Sequence, residues 1–236
     1  MVACDPSLGP APELVEARFS DTGGLLYVSF DASTDMGGFP EATACSDVLE
    51  FPGAEAATCA WSGTTDSVVA TLDYSAVVVP GDAVGLAPAL VLKRFCPLAF
   101  RDVGLCDCWP TVNASAAALD ALGPLTPLMP AAVIQAPEGV SACGGVEVSG
   151  RQSTGHGGRS MAFAWTARVE DSVSARNASR LLEEVAAADG DVLAVSGDAL
   201  VPLAGTTVTF DVALENFLGG ATVATGAAEK RGDSSR

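Results

Sequence analysis

The chain has 236 residues, 49% of them hydrophobic, with a formal net charge of −17 and a pI near 4.1. The apolar content supplies cores for one large domain or two ordinary ones and excludes general disorder. The acidic balance excludes nucleic acid and anionic membrane as partners, since both select a basic face, and the best apolar run, Ala76 to Leu92, is broken by Pro80 and Asp82 well short of the roughly 18 residues a spanning helix needs.

The opening stretch "MVACDPSLGPAPE" has neither a basic region nor an apolar h-region, so no signal peptide is expected in it. "GLLYVSF" (Gly24 to Phe30) reads as a strand, followed by the connection "STDMGG" and a tryptophan strand, "TCAW", ending at Trp61. Further β-rich runs are "SVVATL" (Ser67 to Leu72), "AVVV" (Ala76 to Val79) and "VGLAPALVLK" (Val84 to Lys93). Next comes the cysteine-rich "FCPLAFRDVGLCDCW", read as a stapled loop. Residues 109–131 read as a linker whose prolines after Gly123 resist both helix and inner strand.

Beyond the linker the order repeats. "VSGRQSTGHGG" (Val148 to Gly158) lies 120 residues after "VSFDASTDMGG" (Val28 to Gly38), with V-S, S-T and G-G at the same spacing. "GGVEVSG" (Gly144 to Gly150) precedes this copy, and "AFAW", ending at Trp165, follows it. Strands are then expected at "DVLAVSG", "TTVTFDVALEN" and "ATVAT". Val208, Phe210 and Val212 alternate there with polar neighbours at the period of two that a half-buried strand shows. "NASRLLEEVAAADG" (Asn177 to Gly190) is rich in helix formers and predicts a short helix. The reading is all-β: two tandem fibronectin-III-like or immunoglobulin-like sandwiches with a short helix in the second. Their limits are 10–108 and 132–226, and residues 227–236 form a disordered tail.

"GRQSTGHGGRS" fits neither a phosphate loop nor a dinucleotide loop in register, and "MAFAW" after it is a strand where both would need a helix. It therefore reads as a turn. His156, the only histidine, aligns with Met36 of the other copy and reads as an exposed loop residue. No G-x-S-x-G occurs for serine catalysis. Asp31 and Asp35 are the obvious carboxylate pair for acid–base work and the calcium candidates, weighed against a hydrogen-bonded turn. No catalytic residue and no cofactor are assigned. Trp61 and Trp165 are assigned to the two cores.

Seven cysteines and two Asn-X-Ser sequons, at Asn113 and Asn177, favour an oxidising, extracellular compartment and a glycoprotein. Zinc is the alternative for Cys96, Cys106 and Cys108, but the spacing is unfamiliar and supplies only three sulfurs. The disulfide reading pairs Cys45 with Cys59, closing a loop of about 15 residues worth about 3 kcal/mol. It also pairs Cys96 with Cys106, and Cys143 with Cys108; the odd count means that one thiol is free or pairs elsewhere.

The second half, from "AAVIQAPEGVSACGGVEVSG" to "TTVTFDVALENFLG", resembles the REJ (receptor for egg jelly) module of polycystin-like receptors. It shares a cysteine before the "VEV" strand, a Ser-rich turn with paired glycines, an aromatic-x-Trp strand and a "T-x-T-F-x-V-x-x-x-N-x-L-G" stretch. The first half is similar to the sandwich unit that accompanies such modules. The resemblance implies the extracellular ectodomain of a cell-surface or ciliary receptor that binds a protein or glycan ligand and influences calcium-permeable channels. The chain lacks the family's transmembrane helices and its His-Leu-Ser/Thr autoproteolysis site, so any membrane link would lie in parts of a longer chain. The expected function is a non-enzymatic ligand-binding or adhesion module. The alternatives are a structural component of a secreted surface layer or flagellar appendage, and a carboxylate-based or metal-dependent hydrolase.

Overall fold

A computed structural model describes residues 7, 9–102, 104–112, 118–141, 143–170 and 175–231. Two compact units form. One comprises Met1–Pro127 with Gly157–Arg159, the other Leu128–His156 with Ser160–Arg236. Each is a two-sheet β-sandwich.

In the first unit a five-stranded sheet runs in the order β1-β2-β6-β5-β3. Its strands are β1 (Leu14–Phe19), β2 (Leu25–Phe30), β3 (Ala42–Ala44), β5 (Thr58–Trp61) and β6 (Ser67–Thr71). The second sheet holds β4 (Leu49–Glu50), β7 (Ala83–Leu86) and β8 (Ala118–Asp120) in the order β4-β7-β8. Alternation decides what is buried. Ala17 and Phe19 on β1, Leu26, Val28 and Phe30 on β2, and Val68 and Ala70 on β6 all point inward, towards Leu49, Val84 and Leu86 of the other sheet. Cys45 opens a 3-10 turn between β3 and β4, where the chain leaves one sheet for the other. Its bridge to Cys59 on β5 pins that crossover.

The second unit pairs β10 (Val146–Ser149) with β12 (Val192–Val195). Facing them is a four-stranded sheet in the order β11-β13-β14-β9. It is built from β9 (Gly139–Val140), β11 (Ala162–Val169), β13 (Thr207–Glu215) and β14 (Ala221–Lys230). On β13 the expected alternation is complete, with Val208, Phe210, Val212 and Leu214 inside. The first helix of the chain, α1 (Leu98–Arg101), belongs to the first unit; in the second, helix α2 (Ala175–Ala186) packs Ala178, Leu181 and Val185 onto β11 and β12. It thereby packs against one strand of each sheet of the unit.

The repeat survives locally but not topologically. Gly37 and Gly157 have φ of 61° and 64°, and Gly38 and Gly158 of 78° and 84°, so the paired glycines bend both connections alike. Thr34 and Thr154 each make an isolated antiparallel bridge, to Arg94 and Ala131. After the bend the copies diverge. The Trp61 strand joins the same sheet as β2, whereas the Trp165 strand joins the sheet opposite β10. The expected equivalence of the two connections is therefore corrected. Short-range spacing sets a turn, and the turn does not dictate which sheet the next strand enters.

Other expectations also shift. Ala76 to Val79 is irregular, because Asp73 organises an Asx turn through Ser75 and Pro80 follows at once. Strand β7 stops at Leu86, two residues before Pro88. The linker drawn over 109–131 begins too early. Trp109 is buried and β8 pairs with β7, and the unit boundary falls at Pro127, among the prolines. The tail drawn from residue 227 is strand as far as Lys230. Nine-residue β13 offers it a full ladder, and Ala228 and Lys230 turn inward. The Lys230 ammonium is buried and donates to the Ser141 and Gly144 carbonyls.

Gly155 sits at φ 88°, where an added Cβ would lie 2.7 Å from the Met129 carbonyl oxygen and from Pro130 Cα. Gly155→Ala should therefore destabilise the second unit by about 1–3 kcal/mol, read by urea unfolding. Gly219→Ala serves as control, since φ there is 82° but no atom lies within 4 Å, and it should pay only the backbone part.

Acid sensitivity is also built in. Ser196 donates both its hydroxyl and its backbone N–H to Glu184, each at 2.7 Å, which holds the Glu184 carboxyl below its ordinary range. A depressed carboxyl stabilises the fold above the unfolded-state value and loses that contribution as pH falls through the folded-state one. Asp211 behaves likewise, held down first by the Thr225 hydroxyl and then by Arg168. Stability should fall on acidification below about pH 4. Glu184→Gln should flatten that fall in unfolding curves taken across the acid range.

Candidate functional site

A groove of about 420 Å³ opens on the first unit, lined by Arg18, Phe19, Ser20, Asp21, Tyr27, Leu125 and Thr126. Its floor is the outward face of β1 and β2. The period of two that buries Leu26 and Val28 turns Tyr27 outward, where it is a cross-strand neighbour of Arg18 on one side and Val69 on the other. The tyrosine is 42% exposed.

The far wall is the segment around residues 122–126, fixed at three points. Leu122 exchanges backbone hydrogen bonds with β1, accepting from Phe19 at 3.0 Å and donating to Ala17 at 2.7 Å. The Arg18 guanidinium donates to the Gly123 carbonyl at 2.9 Å, and Asp21 accepts from the Thr126 N–H at 3.3 Å. Between the last two anchors Leu125 projects into solvent, 82% exposed. Proline on both sides, at 124 and 127, stiffens the wall. The groove is thus preformed, with an aromatic floor, an aliphatic lip and a hydroxyl- and carboxylate-bearing rim.

Arg18 is already satisfied, since Glu16 accepts from it at 2.9 and 3.3 Å. Their hydrogen bonding raises the Arg18 pKa and lowers that of Glu16. Among the described residues no ion pair is made by Asp21, which leaves it the one uncompensated charge of the lining.

The residues singled out from sequence lie elsewhere. Asp31 accepts from the Glu13 N–H at 2.8 Å and pairs with Arg94 at 2.8 Å. Asp35 accepts the N–H groups of Gly37 and Lys93 at 3.0 and 2.9 Å. Both carboxylates thus serve as loop fasteners, and among the described residues no cluster of three His, Cys, Asp or Glu side chains could hold a metal.

Cys45 is bridged to Cys59 and Cys96 to Cys106. The pairing of Cys143 with Cys108 is corrected: Cys143 is free, on the exposed turn whose carbonyls hold Lys230, and Cys108 is disulfide-bonded elsewhere. Trp61 is buried and stacks on Phe30 with centroids 5.9 Å apart. Trp165 is buried and donates its indole N–H to the Gly190 carbonyl at 2.8 Å. Asn177 is exposed on α2, His156 is an exposed loop residue, and Asn113 lies outside the described residues.

Sequence reading passed over Tyr27, Arg18, Asp21, Leu125 and Thr126. The one available signal was Tyr27 itself, a large aromatic at an outward position of an alternating strand. Leu125 lay inside the stretch read as linker.

No family model matches this chain, and no curated protein does. Similar solved structures include the N-terminal Ig1-2 module of the Drosophila receptor protein tyrosine phosphatase DLAR. It is 12% identical, has a TM-score of 0.28, and the match covers 94% of this chain and 99% of that one. Murine CEACAM1b is 8% identical at TM-score 0.31, covering 93% and 98%. The Yersinia pseudotuberculosis adhesin InvE is 8% identical at TM-score 0.35, covering 95% and 59%. Scores this low carry no function across, and the sandwich architecture rests on the sheets themselves.

Proposed function

We propose that this chain is a non-enzymatic, extracellular ligand-binding or adhesion module, with the Tyr27 groove as its contact site. The observation that carries the reading is the preformed groove on a disulfide-stapled sandwich. Its wall is pinned by Arg18, Asp21 and the Leu122 bridge, so little ordering entropy is lost on binding. The bridges at Cys45–Cys59 and Cys96–Cys106 support a location in an oxidising compartment. A place in the ectodomain of a REJ or polycystin-like receptor, with an influence on calcium channels, belongs to the same proposal. In its support, the "N-x-L-G" residues of the resemblance act together, Asn216 accepting from the Leu218 N–H on its side-chain oxygen and from the Gly219 N–H on its carbonyl.

Beads coated with the secreted protein should adhere to cells of the organism that makes it, and beads carrying the Leu125→Asp variant should adhere less. Absence of adhesion by the native protein, or equal adhesion by the variant, would count against the groove as the contact site.

A further inference from the structure

We infer that the Tyr27 groove accepts a short, uncharged saccharide. This deepens the preceding reading and rests on it for the site. A sugar ring offers an apolar C–H face and a rim of hydroxyls, and the groove offers the complement of both. Tyr27 presents a ring, 42% exposed, with the aliphatic Leu125 as a lip. Around them stand the hydroxyls of Ser20, Tyr27 and Thr126 and the carboxylate of Asp21, a mixed set of donors and acceptors suited to a polyol. The volume, about 420 Å³, is at the small end of ligand sites and suits one or two sugar rings.

Charge narrows the class. Arg18 is matched by Glu16 and committed to Gly123, so among the described residues lining the groove no free cation awaits a carboxylate or sulfate. Asp21 and the overall −17 charge repel anionic sugars. The backbone excludes an extended peptide added as a strand, because the edge of β1 beside the groove already pairs with Leu122. What fits is a neutral ligand held by stacking and hydroxyl contacts.

The test uses saturation-transfer NMR on the intact secreted protein, with cellobiose, lactose and N,N′-diacetylchitobiose as neutral probes and 3′-sialyllactose as the anionic one. At about 10 mM sugar, at least one neutral disaccharide should bind, with an affinity in the weak range usual for open sites. Tyr27→Ala should weaken it roughly tenfold or more, and Tyr27→Phe should keep most of it. Leu125→Asp, at a position too exposed to threaten the fold, should also weaken it. The inference is overturned if no neutral disaccharide binds, if sialyllactose binds as well or better, or if binding persists in Tyr27→Ala. Those results would leave the adhesion reading standing, since that is decided by the bead assay.

Discussion

Replacing Asn216 by leucine is expected to destabilise the second unit by about 3–5 kcal/mol. Asn216 is 3% exposed and uses every capacity of its amide. Nδ2 donates to the Leu128 and Gly155 carbonyls at 2.7 and 2.9 Å, and Oδ1 accepts from the N–H groups of Leu218 and Gly220 at 3.1 and 3.0 Å. One side chain therefore closes the β13–β14 turn and ties it to two other segments. Leucine has a similar volume but leaves four backbone groups without a partner, and each buried orphan costs about 1–3 kcal/mol. Asn216→Asp keeps the shape while turning both donor contacts into oxygen–oxygen repulsions, so it should be no milder. Urea unfolding of both variants gives the answer, and a loss below about 1 kcal/mol in either would show that water replaces these bonds at little cost.

Removing the Cys45–Cys59 bridge by the double exchange Cys45→Ala, Cys59→Ala is expected to cost the first unit about 3 kcal/mol. The residues are 14 apart in sequence, so opening the ring frees a loop of that length in the unfolded chain. The side chains are also 0% and 1% exposed, so the loss of packed sulfur adds to the entropic part. Burial further orders the two described bridges. Cys96 and Cys106 are only half-buried, so timed alkylation under mild reductant should label them well before Cys45 and Cys59. Labelling of Cys45 first would mean that the β3–β4 crossover opens more readily than its packing indicates.

How much of this was legible in the sequence follows from the range over which each signal acts. Strand β13 was readable to within a residue, because burial of Val208, Phe210 and Val212 against half-buried polar neighbours is written in adjacent letters. Helix α2 was readable from its run of helix formers, and the paired glycines of both connections from their demand for positive φ. Sheet membership was not readable. Trp61 and Trp165 follow similar turns yet enter different sheets, since that choice depends on which distant strand offers a partner. The short strands β3, β4 and β9, of two or three residues, carry too few letters for a period to show.

The site was the least legible part. Asp31 and Asp35 looked chemical because carboxylates four apart suggest ligation, but nearby N–H groups and Arg94 claim them. The groove, by contrast, joins residues about 100 apart, Arg18 with Gly123 and Asp21 with Thr126, and no local spacing announces such a pairing.

The most direct test of an extracellular, disulfide-stapled binding module is a non-reducing peptide map of the protein secreted from a eukaryotic host. It should show Cys45 joined to Cys59, Cys96 joined to Cys106, a free thiol at Cys143, and glycan on the exposed Asn177. Thiols at Cys45, Cys59, Cys96 and Cys106 together with a bare Asn177 would contradict it, placing the chain in a reducing compartment and removing the ground for an adhesive role outside the cell.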